Sequence, residues 1–155
     1  MNKIRCLPLC LLIALLGGCA AVPEPGPGLE VGEQRATQVR PAAGTSRPVL
    51  ALIEQANRAA RQGELAVAEA RLERALRIEP RNAVLWYYMA KLRLHQGRLE
   101  EAAGLAAKSN SLDRRDNRRL QADNWRIIAR ARHQAGDESG ARDAEQRAMA
   151  LSNED

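Results

Sequence analysis

The sequence predicts an all-α fold built from successive pairs of short helices, and three observations lead to that expectation. The composition favours helices, with 28 alanines and 21 arginines but only 3% aromatic residues. From Val49 onward the apolar residues recur at helical spacing, and Pro80 is the only proline in that part. Gly63, Gly97 and Gly136 each separate two helix-forming runs, as a turn with a left-handed residue requires. An all-β sandwich is disfavoured, and the length suffices for one domain at most.

The first element is a predicted signal peptide, residues 1–18, which is expected to be cleaved. Residues 1–5 hold two basic side chains and no acidic one, and an apolar run of 11 residues follows over 6–16. That run is much shorter than the roughly 20 apolar residues of a membrane-spanning helix. A permanent transmembrane anchor is therefore the weaker interpretation.

The residues that end this segment, Leu16-Gly17-Gly18-Cys19, resemble the lipobox of bacterial lipoproteins. The resemblance implies cleavage just before Cys19 and acylation of that residue, and several acyl chains anchor a protein firmly. This covalent lipid is the only cofactor we expect. Because Ala20 rather than aspartate follows, the resemblance further implies sorting to the periplasmic face of the outer membrane. The alternative is an ordinary signal peptide that happens to contain a cysteine after two glycines.

Residues 19–48 comprise the lipidated cysteine and a segment that is expected to be a disordered linker. From residue 20 to 48 the chain holds five of its seven prolines and four glycines, with little apolar bulk to bury. These 29 residues could extend to about 95 Å, and as a flexible coil they would average about 30 Å. Such a reach favours a distant partner, whereas the alternative is a simple spacer above the lipid headgroups.

The domain that follows, residues 49–155, carries a repeat. The glycine spacings are 34 and 39 residues, and a period of 34 with paired helices is typical of tetratricopeptide repeats. The positions that match the family pattern are Leu52, Ala56, Gly63, Ala68, Leu72, Ala75 and Pro80, then Trp86, Ala90, Gly97, Ala102 and Ala106, then Trp125, Ala129, Gly136, Ala141 and Ala148. This resemblance implies an α-solenoid of about three helix pairs, with repeats at about 49–82, 83–116 and 122–155.

Small residues are expected where the two helices of a repeat cross, because larger side chains would separate them. The pairs are Ala56 with Ala68, Ala90 with Ala102, and Ala129 with Ala141. The sequence departs from the family pattern where tyrosine is replaced by Arg93 and Arg132, whose stems are expected to fill the place of the ring. Five extra residues fall around 113–119 and either lengthen the adjacent helices or form a basic loop.

Nothing in the sequence indicates catalysis. The two histidines, His95 and His133, lie in different repeats and in no known motif, and no glycine-rich phosphate loop is present. From residue 20 onward, 22 basic residues against 19 acidic ones leave a net charge of +3, and nucleic acid is not expected outside the cytoplasm. We therefore expect a protein-binding module without catalytic residues, metal or small-molecule substrate.

In tetratricopeptide repeat proteins the first helix of each repeat lines the concave face. The resemblance assigns to that face Ile53, Asn57, Tyr87, Lys91, Leu94, Arg126, Arg130 and His133. This groove is amphipathic and basic at one end. Because exposed tyrosine and arginine often dominate interface energies, it predicts a partner segment with an apolar anchor and acidic residues. The alternative is an ordinary solvated face. The run Arg114–Arg119 is a second candidate surface, although its interleaved acidic residues favour solvated salt bridges.

The order of lipobox, Pro/Gly-rich linker and small repeat domain resembles the LpoP-type activators of peptidoglycan synthases. That resemblance implies a partner, a bifunctional class A penicillin-binding protein of the 1b kind, whose glycan polymerisation and cross-linking the protein stimulates from the outer membrane. The alternative is a lipoprotein scaffold for secretin or pilus assembly, outer-membrane protein assembly or peptidoglycan hydrolases.

Overall fold

The computed structural model describes residues 44–113 and 117–153. Within these residues the chain is helical and contains no strand, which confirms the predicted all-α solenoid. The helices are α1 (Arg47–Arg61), α2 (Leu65–Ile78), α3 (Ala83–His95), α4 (Leu99–Leu112), α5 (Arg118–Gln134) and α6 (Glu138–Ser152). The predicted signal peptide, Cys19 and all but the last residues of the predicted linker lie outside the described residues.

The helices form two layers. Each helix packs against the next one in the chain, and α1 contacts α3 as α3 contacts α5. Among the described residues, α2, α4 and α6 make no contacts with one another. The first helices of the three pairs therefore line the inner side of the solenoid, and the second helices lie on the outside.

The same turn closes all three pairs. Gly63, Gly97 and Gly136 have φ angles of 77°, 72° and 82°. In each case the amide that follows the glycine donates a 2.9 Å hydrogen bond to a carbonyl five residues earlier, as from Glu64 to Ala59. This is the Schellman arrangement, and it requires a residue that tolerates a left-handed backbone. The glycines that define the repeat in the sequence thus set the reversal between paired helices.

Alanine forms much of the interior. All six alanines that were predicted at helix crossings are buried, with at most 8% of their surface exposed. Large apolar side chains fill the space between successive pairs, as where Leu72 of α2 packs in one cluster with Met89 and Leu92 of α3. Tight crossings within a pair and bulkier contacts between pairs are both needed to close the core.

Arg93 replaces the family's tyrosine as predicted. Its side chain is only 11% exposed, and its guanidinium lies 2.6 Å from Glu69 and 3.4 Å from Glu101. Hydrogen bonds from Arg93, and then from Gln96, lower the pKa of Glu69 to about 2. Arg132, at the same position of the third repeat, differs: its side chain is 43% exposed, and it donates a 3.1 Å hydrogen bond to the carbonyl of Gly140.

Each tryptophan lies beneath a cation. The Trp86 ring is 3.6 Å from the ammonium of Lys108, and the Trp125 ring is 4.6 Å from the guanidinium of Arg147. Trp86 is half-buried, and its indole donates a 2.8 Å hydrogen bond to the carbonyl of Pro80. The Trp86 ring is therefore partly exposed and links α3 to α4 through its contact with Lys108, and it is not fully buried.

The five extra residues between the second and third repeats mostly lengthen a helix. Helix α3 begins three residues before Trp86, whereas α5 begins seven residues before Trp125. Five residues separate α4 from α5, whereas four separate α2 from α3. Four of the extra residues thus lie in α5, and one lies in the segment before it. Asn117 caps the longer helix, since its side chain accepts a 3.1 Å hydrogen bond from the amide of Leu120.

A buried polar network joins α3, α4 and α5. Ser109 and Asn124 are both fully buried. The Ser109 hydroxyl donates to the carbonyl of Ala83 at 2.8 Å, and the Asn124 amide donates to Ser109 Oγ and to Asn110 Oδ1, each also at 2.8 Å. Because buried polar groups are costly without partners, these bonds favour one position of α5 against its neighbours.

Candidate functional site

The eight residues that were predicted to face a partner differ in exposure from one repeat to the next. Ile53 and Tyr87 are buried, at 4% and 2% exposure. Half-buried positions are Asn57, Lys91 and Leu94, and exposed positions are Arg126, Arg130 and His133. The expectation that Ile53 and Tyr87 are exposed in a groove is wrong. The physical reason is that the first helix of the following repeat packs over these positions in the first two repeats.

On the inner side of the second repeat, the half-buried cation Lys91 lies against an aromatic ring. Lys91 lies 5.6 Å above the ring of Tyr87, which packs edge to face against Tyr88. Burial lowers the pKa of Lys91, while the negative charge of Asp123 opposes that change. Burial, together with Asp123, raises the pKa of Tyr87. Tyr87 therefore belongs to the core that supports Lys91 and is not available as a contact for a partner.

A cleft of about 570 Å³ opens between α5 and α6 at the last repeat. We call it the terminal groove. Its floor consists of three alanines, Ala129, Ala141 and Ala148. Its rim is formed from α5 by Arg126, Arg130 and His133 and from α6 by Glu138, Arg142, Glu145 and Met149. The three exposed residues of the predicted set thus come together here, beside four residues of α6 that the sequence did not single out.

Two arginines of the terminal groove have no ion-pair or hydrogen-bond partner among the described residues. Arg126 pairs with Asp123 at 2.7 Å, and His133 lies 2.9 Å from Glu138. Arg130 and Arg142, by contrast, make no ion pair or hydrogen bond within residues 44–113 and 117–153. Met149 is 54% exposed beside them. The groove therefore combines an apolar floor with two arginines and one carboxylate, Glu145, that are unpaired in the part of the chain that the structure describes, and this net positive charge suits a protein ligand that carries carboxylates.

A signal for the α6 residues was present in the sequence. Glu145 stands at the position that Leu72 and Ala106 occupy in the first two repeats. A carboxylate at a position that is buried in the other two repeats indicates that this position is exposed to solvent. The signal was missed because the family resemblance assigns the concave face to the first helix of each repeat, and α6 is a second helix.

In the described part of the chain, no group of three or more histidine, cysteine, aspartate or glutamate side chains is placed to hold a metal ion. No helix there is long and apolar enough to cross a membrane. Of the predicted Arg114–Arg119 surface, residues 114–116 lie outside the described residues, and Arg118 and Arg119 both take part in interactions with other groups. The use of that run as a docking surface stays a prediction.

Comparison with known proteins supports this description. The tetratricopeptide repeat family matches residues 59–123. The globular C-terminal domain of LpoP from P. aeruginosa is 39% identical, with a TM-score of 0.65 over 67% of this chain and 97% of that domain. The N-terminal domain of stress-induced protein-1 from C. elegans shares the fold at 18% identity, with a TM-score of 0.63 over 70% of this chain and 87% of the other. No curated protein matches the sequence.

Proposed function

Because the chain belongs to the tetratricopeptide repeat family and is similar to LpoP, we propose that it docks on and activates a class A peptidoglycan synthase. One observation carries the proposal: the 39% identity extends over 97% of the LpoP domain, so the whole folded unit is matched and not a single repeat. Tetratricopeptide repeat proteins and LpoP-like domains are typically non-catalytic interaction modules. The proposed role is accordingly that of a binding partner, and the chemistry belongs to the synthase.

The proposal includes an anchor and a linker. Cys19 carries the lipid and holds the protein at the periplasmic face of the outer membrane. The Pro/Gly-rich segment then spans the distance to a synthase in the inner membrane, with a reach of about 95 Å when fully extended. The lipobox-like Leu16-Gly17-Gly18-Cys19 and the five prolines of residues 20–48 support this arrangement.

Activation in this proposal is a shift between two conformations of the synthase. A partner changes such an equilibrium only through its different affinity for the two states. The repeat domain is suited to this role because it presents one fixed surface, assembled from helices that are locked together by glycine turns and alanine crossings. The synthase then polymerises glycan faster without any reacting group from this chain.

The test is a binding and rate measurement with the full-length chain in detergent and the purified class A synthase of the same cell. We expect saturable binding, together with faster glycan polymerisation and more cross-linking from lipid II substrate. The chain alone should yield no polymer. Absence of both binding and stimulation, under conditions where the synthase is active, would reject the proposal and favour a scaffold for secretins, outer-membrane assembly or hydrolases.

A second experiment addresses the linker in cells. Deletion of residues 23–40 in the lipidated protein should abolish its function in the cell, whereas the same deletion should leave stimulation in detergent unchanged. Replacement of residues 23–40 by a Gly/Ser segment of equal length is the matched control and should restore function. If the shortened protein works in cells, the linker is only a spacer.

A further inference from the structure

The terminal groove has a counterpart inside the molecule. Every residue that lines it lies 73 positions after a residue of the first repeat, which is the distance from Gly63 to Gly136. Each of those counterparts, in α1 or α2, shares a hydrophobic cluster with α3 or forms a bond with a side chain of α3. The shape of the terminal groove therefore allows one further α-helix to pack on the third repeat, as α3 packs on the first repeat.

The side chains of the terminal groove differ in charge from those that α3 covers on the first repeat. Ile53 and Leu72 of the first repeat correspond to Arg126 and Glu145, so two buried apolar contacts become charged. Glu69, which accepts the 2.6 Å bond from Arg93 of α3, corresponds to Arg142. Because the charge at this position is reversed, the incoming helix should carry a carboxylate where α3 carries an arginine.

We propose that the terminal groove binds an amphipathic α-helix of the synthase, with an apolar stripe over the alanine floor and carboxylates that face Arg130 and Arg142. The inference rests on the proposed function, since it assigns the helix to that partner. The uncommitted charge of Arg130 and Arg142 provides the attraction, and Met149 provides an exposed apolar contact. A single basic residue in the helix would pair with Glu145.

A second copy of this chain fits the groove less well. The outward face of α1, which would enter it in a head-to-tail dimer, has Glu54 and Arg58 where α3 presents Tyr88 and Leu92 to the first repeat. Glu54 and Arg58 already pair with each other at 3.8 Å. That face therefore offers no apolar stripe for the alanine floor and no free carboxylate for Arg142.

The test measures the affinity of the full-length chain for the synthase. The double variant Arg130→Glu with Arg142→Glu should bind at least about 10-fold more weakly, because it places like charges against the helix carboxylates. The matched control, Arg74→Glu with Arg77→Glu, makes the same charge change on the exposed face of α2 and should bind as the wild type does. Circular dichroism of both double variants checks that they are folded.

Cross-linking gives a second, independent measurement. With p-benzoylphenylalanine in place of Met149, we expect a cross-link to a helical segment of the synthase that is rich in aspartate and glutamate. The same photoreactive residue in place of the exposed Ala107 on α4 should give none. A cross-link to a loop or strand of the synthase, or to a second copy of this chain, would overturn the inference.

The two proposals fail in different ways. If the wild type does not bind the synthase, the proposed function is wrong. If the wild type binds and the Arg130→Glu, Arg142→Glu variant binds equally well, the terminal groove is not the docking site and the proposed function stands.

Discussion

The first repeat and the third repeat have the same geometry at their far edge, but one edge is closed and the other is open. On the first repeat, Leu72 is 3% exposed beneath α3. On the third, Glu145 holds the same position on the rim of the terminal groove. The comparison shows that the repeat pattern specifies the shape of the edge, while a few substitutions set its charge and exposure.

The strongest test of this comparison exchanges the two residues. Leu72→Glu should lower the free energy of unfolding by about 4 kcal/mol or more, because it removes a buried side chain and places a carboxylate in an apolar site. Glu145→Leu should change it by no more than about 0.5 kcal/mol. Urea denaturation of both variants measures the difference, and equal effects would show that the two edges are not distinct.

The next prediction concerns a larger side chain at a buried helix crossing. Ala102→Leu should destabilise the domain by about 1–3 kcal/mol, because this alanine is fully buried where α3 and α4 cross. Ala107→Leu on the exposed side of the same helix is the control and should have little effect. Unchanged thermal denaturation of the Ala102 variant would contradict the close crossing within the second repeat.

Replacement of Trp86 on the second repeat should have an intermediate effect on stability. Trp86→Ala would cost about 3–5 kcal/mol if the ring were fully buried. Since the ring is half-buried and held by one hydrogen bond and one cation, we expect about 1–2 kcal/mol. Lys108→Ala should reproduce only the smaller, cationic part of the loss. A loss of more than about 3 kcal/mol for Trp86→Ala would indicate that the ring is fully buried in the core.

The smallest expected effect is the pH dependence that Glu69 gives to the closed edge. The pKa of Glu69 is lowered from 4.5 to about 2 in the folded state, so the stabilisation is present above pH 4.5 and is lost as the pH falls toward 2. Allowing for solvent screening, the part that is lost between pH 5 and pH 3 is at most about 1 kcal/mol. Glu69→Gln should reduce the difference in unfolding free energy between pH 5 and pH 3, whereas the exposed control Glu100→Gln should not.

Sequence reasoning captured the features that are local. The three glycine turns and the alanine crossings depend on backbone conformation and side-chain size at fixed offsets, and both are visible in a single repeat. Burial of Ile53 and Tyr87 was missed, because it depends on how one repeat stacks on the next. A position that lines the concave face in one stacking geometry lies beneath the following helix in another.

The buried network was missed for a related reason. Ser109 and Asn124 are 15 positions apart, and their hydrogen bond exists only because α4 and α5 pack together. The available signal was the polar residue Ser109 at the position that Ala75 and Ala148 occupy in the other repeats. Recognising it requires a comparison of repeats with each other, not with the family pattern.

Because of that network, the repeats of this protein are not interchangeable. If the second repeat were removed and the first joined directly to the third, Asn124 would meet Ala75 and Leu76 in place of Ser109 and Asn110. Its side-chain NH2 group would then be buried without a partner, at a cost of about 1–3 kcal/mol. The number and order of repeats are therefore constrained by one buried asparagine, and a shortened protein would have to change that residue first.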